Sequence, residues 1–209
     1  MEKKDLLKDV IKHIDIKSYN STELIDAMRN MSFTSRDTAR AADILMMMCK
    51  EKECTNILTL AGSTSAAGCM QVYVDMVRNK MIDVVVATGA SIIDMDLFEA
   101  LGFKHYIGEK ENVIADTTLR DLYIDRIYDT YIDEEELQAC DHTTFEIANM
   151  LEARPYSSRE FIYEIGKWLH EGHAVKKDSL IQTCYECGVP IFVPAFSDSS
   201  AGFGIGKHQ

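Results

Sequence analysis

The segment Asn56–Gly108 constrains the fold most, because it alternates short apolar runs with turns of small residues. The run Ile57–Ala61 is long enough for one buried strand, and the valine-rich run Ile82–Ala87 is typical of a parallel strand. Between the two runs, apolar residues recur at helical spacing from Ala66 to Met81, which predicts a helix with one face packed on a sheet. The segment therefore predicts a strand, a helix and a second, parallel strand.

Each of these strands is followed by a turn of small residues. The turn residues are Gly62, Ser63 and Thr64 after the first strand, and Thr88, Gly89 and Ala90 after the second. Ligands bind open α/β sheets at the carboxyl ends of their strands, where backbone amides at a helix start approach phosphates. Two such turns side by side predict a nucleotide-sized binding crevice.

The composition favours one α/β domain over residues 1–209, with a helical N-terminal extension at 1–50 and a Rossmann-like core at 56–209. The formal net charge of −12 disfavours binding to nucleic acid or to anionic membranes. No apolar stretch approaches the ~20 residues that span a bilayer, and the N-terminus lacks an apolar signal core. We therefore expect a cytoplasmic protein.

The remaining elements are predicted from periodicity and from cap residues. Leu6–Ile14 is expected to be helical, and a longer helix is expected to begin at Ser35 as its N-cap, with Met46, Met47 and Met48 filling core space. The acidic run Asp133–Glu136, in the polar region Glu109–Ala139, is predicted to begin a helix. Further helices are predicted at Ile93–Leu101, His142–Leu151, Arg159–His170 and Asp178–Cys187, with a strand at Val189–Phe196 and a turn at Ser197–Gly206. Together these elements predict a doubly wound, mainly parallel sheet with helices on both faces, incomplete at the C-terminal end.

Several residues that could carry chemistry are better explained by packing. The pair Cys184 and Cys187 lacks the second pair that a zinc site needs, and is expected at a helix that ends at Gly188. His170 and His173 lack a third ligand, so no metal site is predicted. His105 is interpreted as a half-exposed surface residue rather than a catalytic one, and Trp168 as a core residue.

Five fragments of the chain occur in the order and spacing of a known family. They are LAGSTSAAG; MVRNKMIDVVVATGA with DLFEALGFKHYIG; RIYDTY; YSSREFIYEIGKWL; and VPIFVPAFSDSSAGFG. On these fragments, from Thr22 to Gly204, the chain resembles deoxyhypusine synthase and its bacterial and archaeal homologues.

The resemblance implies an NAD-dependent transferase that is assembled as a homotetramer. In that family NAD takes hydride from spermidine, and the aminobutyl group passes through an enzyme lysine to a lysine of the translation initiation factor 5A precursor. The implied partners are thus spermidine or a related amine, the factor precursor, and further subunits or a second chain that completes the site. The family's catalytic lysine is expected beyond Gln209, so no catalytic residue is assigned within this chain.

The resemblance also implies the residues that contact NAD. The family's first cofactor turn falls on Gly62, Ser63 and Thr64, and its second on Thr88, Gly89 and Ala90. Its ribose-binding acid falls on Asp94, with Asp96 as the alternative. Its third turn places Asp198 at the cofactor, although an aspartate before two serines could instead cap a helix.

One departure from the family pattern bears on the substrate. Phe203 stands where eukaryotic members have an aspartate that helps to bind spermidine. This leaves open a family member that uses another amine or guanidine compound, such as agmatine or putrescine. A third alternative is a catalytically incomplete, regulatory paralogue that occupies subunit positions beside an active partner.

Overall fold

The computed structural model of the chain describes residues 1–108 and 114–207. The predicted polar region therefore begins outside the described residues, since Glu109–Val113 fall in the gap. The helices are α1 (Lys3–Leu6), α2 (Thr22–Met28), α3 (Phe33–Lys50), α4 (Met70–Arg78), α5 (Phe98–Ala100), α6 (Asp116–Asp121), α7 (Glu134–Met150), α8 (Ser158–Trp168), α9 (Leu180–Cys187) and α10 (Ala201–Ile205). Shorter helical turns occupy Ile16–Ser18, Ser65–Cys69, Ala90–Leu97 and Leu169–His173.

A three-stranded parallel sheet forms the centre of the fold. Its strands are β1 (Ile57–Leu60), β2 (Val84–Ala87) and β6 (Ile191–Phe192), in the order β1-β2-β6. Strand β2 pairs with both neighbours, with Leu60 beside Ala87 and Val85 beside Ile191. The predicted parallel pair and the α/β class are confirmed, but the strand predicted at Val189–Phe196 is only two residues long.

The main core lies between this sheet and the helices around it. Strand residues Leu60 and Val85 pack in one cluster with helix residues such as Phe98, Ile165 and Leu180. These five side chains are all at most 6% exposed. The sheet edge that carries the two glycine turns is therefore held by a well-packed interior.

A second, antiparallel sheet was not predicted from the sequence. Its strands are β3 (His105–Ile107), β4 (Ile124–Ile127) and β5 (Thr130–Asp133), in the order β3-β5-β4. The hairpin between β4 and β5 turns at Tyr128, which has a positive φ of 56°. Tyrosine is not a usual turn signal, so the polar sequence of this region concealed the hairpin.

The predicted helix over Leu6–Ile14 is wrong beyond Leu6. Only Lys3–Leu6 is helical, and the residues after it run along the antiparallel sheet, where Val10 forms a bridge with Tyr106. The Ile11 amide donates to the His105 carbonyl at 2.9 Å. Pairing with the sheet thus overrides the helical spacing of the apolar residues.

The long N-terminal helix differs from its prediction at its start and in its burial. Helix α3 begins at Phe33 after the N-cap Ser32, so Ser35 lies inside the helix. Met46 and Met47 are 51% and 61% exposed, and Ala39 is the buried residue of α3. The expectation that these methionines fill core space is wrong for Met46 and Met47.

Other boundary predictions hold in part. Asp133 caps α7 by accepting hydrogen bonds from the amides of Glu135 and Glu136, so the acidic run does begin a helix. The helix predicted at Ile93–Leu101 starts earlier, with the turn Ala90–Leu97. Gly188 ends α9 with a φ of 71°, as expected for a helix-terminating glycine. No helix among residues 1–108 and 114–207 is long and apolar enough to cross a membrane.

Candidate cofactor-binding site

The first two glycine turns lie side by side at the carboxyl ends of β1 and β2. The Thr88 amide donates to the Leu60 carbonyl at 3.1 Å, and this bond continues the strand pairing into the turns. The Ser91 hydroxyl donates to the Gly62 carbonyl at 3.3 Å and lies 3.0 Å from the Thr88 hydroxyl. The structure thus places both predicted turns next to each other at one sheet edge.

The first turn leaves open space over its backbone. Gly62 has a φ of 72°, and a Cβ built on it would have no neighbour within 4 Å. Thr64 is exposed and accepts a hydrogen bond from the Tyr73 hydroxyl at 2.7 Å, while Ser63 is half-buried. An exposed glycine turn at a helix start is a backbone cradle of the kind that a pyrophosphate fits.

The second turn is covered by the third. A Cβ on Gly89 would lie 2.8 Å from the carbonyl oxygen of Phe196 and 2.8 Å from Ser199. Gly89 is therefore buried, whereas Thr88 beside it is exposed and Ala90 is half-buried. Glycine at this position lets the second and third turns meet.

The two candidate ribose-binding acids have different environments. Asp96 is 1% exposed, and its oxygens accept hydrogen bonds from the amides of Leu180 at 2.8 Å and Ile181 at 2.7 Å. Burial raises the pKa of Asp96 to about 6. Asp96 thus caps α9 from inside the protein and has no free face for a ligand.

Asp94 is half-buried and lies at the third turn. Its carboxylate accepts from the Ser200 hydroxyl at 2.8 Å and from the Ser200 amide at 3.3 Å. Burial raises the pKa of Asp94. Of the two alternatives, Asp94 is the one that the structure leaves beside the turns.

Asp198 is exposed in the third turn, and its carboxylate has no side-chain partner among the residues that the structure describes. The residue that precedes α10 is Ser200 rather than Asp198, and no side chain accepts a capping hydrogen bond there among the described residues. The alternative role of Asp198 as a helix cap is therefore wrong, and its carboxylate is available to a ligand.

Asp141 joins this site although no sequence signal indicated it. Its carboxylate lies 2.5 Å from the Ser200 hydroxyl, which also contacts Asp94. A hydroxyl carries one hydrogen, so it donates to one carboxylate and favours a proton on the other. Burial raises the pKa of Asp141, and the nearby charge of Asp94 raises it further.

A cavity of about 550 Å³ opens beside this serine. Its lining includes the carboxyl groups of Asp125, Glu134 and Asp141 and the rings of Phe145 and Phe203. Burial, together with the neighbouring Glu134, raises the pKa of Asp125 to about 6. Carboxylates beside aromatic rings favour a cationic ligand, because both attract positive charge.

The histidine and cysteine predictions have mixed outcomes. His105 is 1% exposed, and its Nδ1 lies 2.9 Å from Glu99. The prediction that His105 is a half-exposed surface residue is therefore wrong. Trp168 packs against the main core and stacks on His173, with ring centroids 4.3 Å apart. Cys184 and Cys187 are both free thiols. Within residues 1–108 and 114–207 no three His, Cys, Asp or Glu side chains are grouped to hold a metal ion.

Comparison with known proteins identifies relatives of this chain. The family model described as deoxyhypusine synthase matches residues 23–209. A deoxyhypusine synthase-like protein of Caulobacter vibrioides is 68% identical over 208 residues, which are 100% of this chain and 56% of that protein. Its counterpart in Coxiella burnetii is 60% identical over 99% of this chain and 58% of that protein.

More distant proteins share the same region. A probable deoxyhypusine synthase 2 of Methanosarcina acetivorans is 39% identical over 92% of this chain and 54% of its own length. A solved structure of a putative deoxyhypusine synthase from Entamoeba histolytica superposes with a TM-score of 0.63 at 20% identity, covering 94% of this chain and 66% of that one. The chain thus spans a little over half the length of the curated relatives it matches, and the solved structure supports the fold.

Proposed function

The chain belongs to the deoxyhypusine synthase family of transferases, and from this premise we propose that it binds NAD at the three turns and acts on an amine. The observation that carries the proposal is the contact between the first two turns, where Ser91 donates to the Gly62 carbonyl. The open backbone at Gly62 suits a pyrophosphate, and the carboxylates of Asp94 and Asp198 suit ribose hydroxyls. NAD would supply hydride acceptance, which protein side chains do not provide.

The proposed reaction is aminobutyl transfer from spermidine to a lysine of the translation initiation factor 5A precursor. The cavity beside Ser200 supports a cationic substrate, since three carboxyl groups line it against the one amine of Lys207. Asp141 would attract the ammonium group, and a proton held by its carboxyl group would leave to solvent as that charge arrives. The cavity walls would orient the amine and exclude water from the cofactor.

A different amine or guanidine substrate is the second candidate, and Phe203 favours it. Its ring is 76% exposed at the cavity and has no charge with which to pair an ammonium group. A guanidinium group, as in agmatine, would stack on a phenyl ring better than a primary ammonium group. Spermidine and agmatine therefore make the informative pair of substrates.

The family's lysine falls beyond Gln209 in the resemblance, so we propose that this chain supplies the cofactor half of the site. The rest of the site would be formed by the region that the relatives have outside the matched part, within the proposed homotetramer. Residues 1–207 would then bind NAD and the amine, while transfer to the factor precursor would need the additional segment.

Calorimetric titration of the protein with NAD tests the cofactor proposal. Asp198→Asn is expected to weaken binding by roughly tenfold or more, because a charged hydrogen bond to a ligand contributes ~1.5–3 kcal/mol. Asp121→Asn is the matched control, since Asp121 is exposed on α6. Absence of heat with the unmodified protein at millimolar NAD would contradict the proposal.

The amine is tested by the appearance of reduced nicotinamide absorbance with NAD and either spermidine or agmatine. Phe203→Asp is expected to raise the apparent affinity for spermidine and to lower the preference for agmatine. If the wild-type protein and Phe203→Asp show the same relative affinity for spermidine and agmatine, the role of Phe203 in substrate choice is contradicted.

A further inference from the structure

The segment 9–14 crosses from the antiparallel sheet to the first glycine turn. The Ile107 amide donates to the Asp9 carbonyl at 2.7 Å, and the Ile11 amide donates to the His105 carbonyl at 2.9 Å. At the far end of the segment, the Ile14 amide donates to the Gly68 carbonyl at 2.9 Å. The N-terminal segment is therefore fixed at both ends, one of them within the helical turn Ser65–Cys69 that follows the first glycine turn.

Within this segment, His13 contacts the helices that follow both turns. Its Nδ1 accepts a hydrogen bond from the Met70 amide at 3.2 Å, at the first residue of α4. Its Nε2 lies 2.6 Å from Oε2 of Glu99 in α5. Because Nδ1 accepts from an amide, the hydrogen of the neutral ring is on Nε2 and is donated to Glu99.

The segment that carries His13 and its partner Glu99 are both held in place by further contacts. Gly68 has a φ of 96°, and a Cβ on it would lie 2.9 Å from the Lys12 carbonyl oxygen, so the segment packs tightly on that turn. Glu99 also pairs with His105 at 2.9 Å and with Lys176. Although burial opposes ionisation, the hydrogen bonds from His105 and His13 and the charge of Lys176 hold the pKa of Glu99 below its usual range.

We propose that His13 is a positioning residue that fixes the spacing between the first and second glycine turns. One imidazole ring links the start of α4, which follows Gly62–Thr64, to α5, which follows Thr88–Ala90. The hydrogen bonds that the turns offer to a dinucleotide depend on the separation of the two backbones. This role rests on the proposed binding of NAD.

Three substitutions at His13 test its two hydrogen bonds separately, the one from the Met70 amide and the one to Glu99. His13→Asn keeps an acceptor near the position of Nδ1 for the Met70 amide but does not reach Glu99. His13→Gln places an amide near the position of Nε2 for Glu99 but leaves Met70 without an acceptor. His13→Ala removes both hydrogen bonds, and His170→Ala is the control because His170 is exposed in the helical turn Leu169–His173 and does not line the proposed amine cavity.

Two measurements are made on each protein: the NAD affinity by calorimetry and the hydrogen exchange of the Met70 amide without NAD. We expect NAD affinity to fall about tenfold in His13→Ala and by less in His13→Asn and His13→Gln. Met70 exchange should accelerate in His13→Ala and His13→Gln and stay slow in His13→Asn. This partial rescue distinguishes positioning from a general loss of folding, which a melting curve records separately.

Unchanged NAD affinity in His13→Ala, beside normal binding by the wild-type protein, would overturn the positioning role alone. Loss of affinity only in proportion to the unfolded fraction would overturn it as well. A wild-type protein that binds no NAD would overturn both the proposed function and this role.

Discussion

Gly89 is the residue at which the second turn meets the third, and there is no space at this position for a side chain. A Cβ would lie 2.8 Å from a backbone oxygen of Phe196, which cannot move as a side-chain end can. We expect Gly89→Ala to lower the free energy of unfolding by ~1–3 kcal/mol through overpacking, and to weaken NAD binding by separating the turns. Chemical denaturation and calorimetry measure the two effects.

Gly62 offers the matched comparison, because its backbone is strained but its surroundings are open. Its φ of 72° costs a residue with a Cβ about 1 kcal/mol. Gly62→Ala should therefore destabilise less than Gly89→Ala, and Gly62→Asn least, since asparagine tolerates this conformation. Equal losses at both glycines would contradict the steric explanation at Gly89.

Asp96 makes the stability depend on pH in a predictable direction. Its pKa is raised to about 6 in the folded protein, above the ordinary value near 3.8, so the folded state holds the proton more tightly. The resulting stabilisation is complete below pH ~4 and is lost as the pH rises through ~6, by up to ~3 kcal/mol. Denaturation of the wild-type protein and Asp96→Asn across this range should show a difference that varies with pH; a constant difference would contradict the assignment.

At the residue scale, the sequence predicted backbone features better than side-chain partners. Gly62 and Thr88 stand directly after apolar strands, so local pattern located them. Asp141 and Glu99 act through contacts with residues distant in sequence, such as Ser200 and His13. A single sequence carries no periodic signal for such pairs.

At the element scale, the serine that caps α8 and the serine predicted to cap α3 have opposite roles that substitution can check. Ser157 caps α8 and exchanges hydrogen bonds with Glu160, whereas Ser35 lies inside α3. Ser157→Ala should destabilise by ~1 kcal/mol, while Ser35→Ala should be neutral or stabilise by a few tenths, because alanine is the better helix former. Melting temperatures of the two variants decide this, and a loss of ~1 kcal/mol in Ser35→Ala would restore Ser35 as the cap.

Elements were predictable where their own residues determine them. Strands β1 and β2 are continuous apolar runs, and α7 begins at an acidic run that suits a helix start. Strands β4 (IDRI) and β5 (TYID) lack the strict alternation of apolar and polar residues that signals a strand, and the segment after Leu6 departs from a helix where Val10 pairs with Tyr106. These elements depend on tertiary pairing, which local pattern does not reveal.

For the whole molecule, the α/β class and the position of the turns followed from the order of strands and helices. The division of the interior into two hydrophobic clusters did not follow from that order. A smaller cluster of Leu6, Leu119, Ile124 and Tyr131 lies apart from the main core, while Ile132 belongs to the main core. Successive residues of β5 therefore face different interiors, as the two-residue period of a strand requires.

This division predicts that the two faces of the antiparallel sheet respond differently to cavities. Leu119 and Ile132 are 2% and 4% exposed, so truncation of either to alanine should cost ~2–5 kcal/mol. In Leu119→Ala, hydrogen exchange should accelerate in β3, β4 and β5 while β1 and β2 stay protected, because the loss is confined to the smaller cluster. In Ile132→Ala, exchange should accelerate in the parallel sheet as well. Equal acceleration of both sheets in Leu119→Ala would show that the clusters unfold as one unit, and the glycine turns would then depend on the antiparallel sheet for their stability.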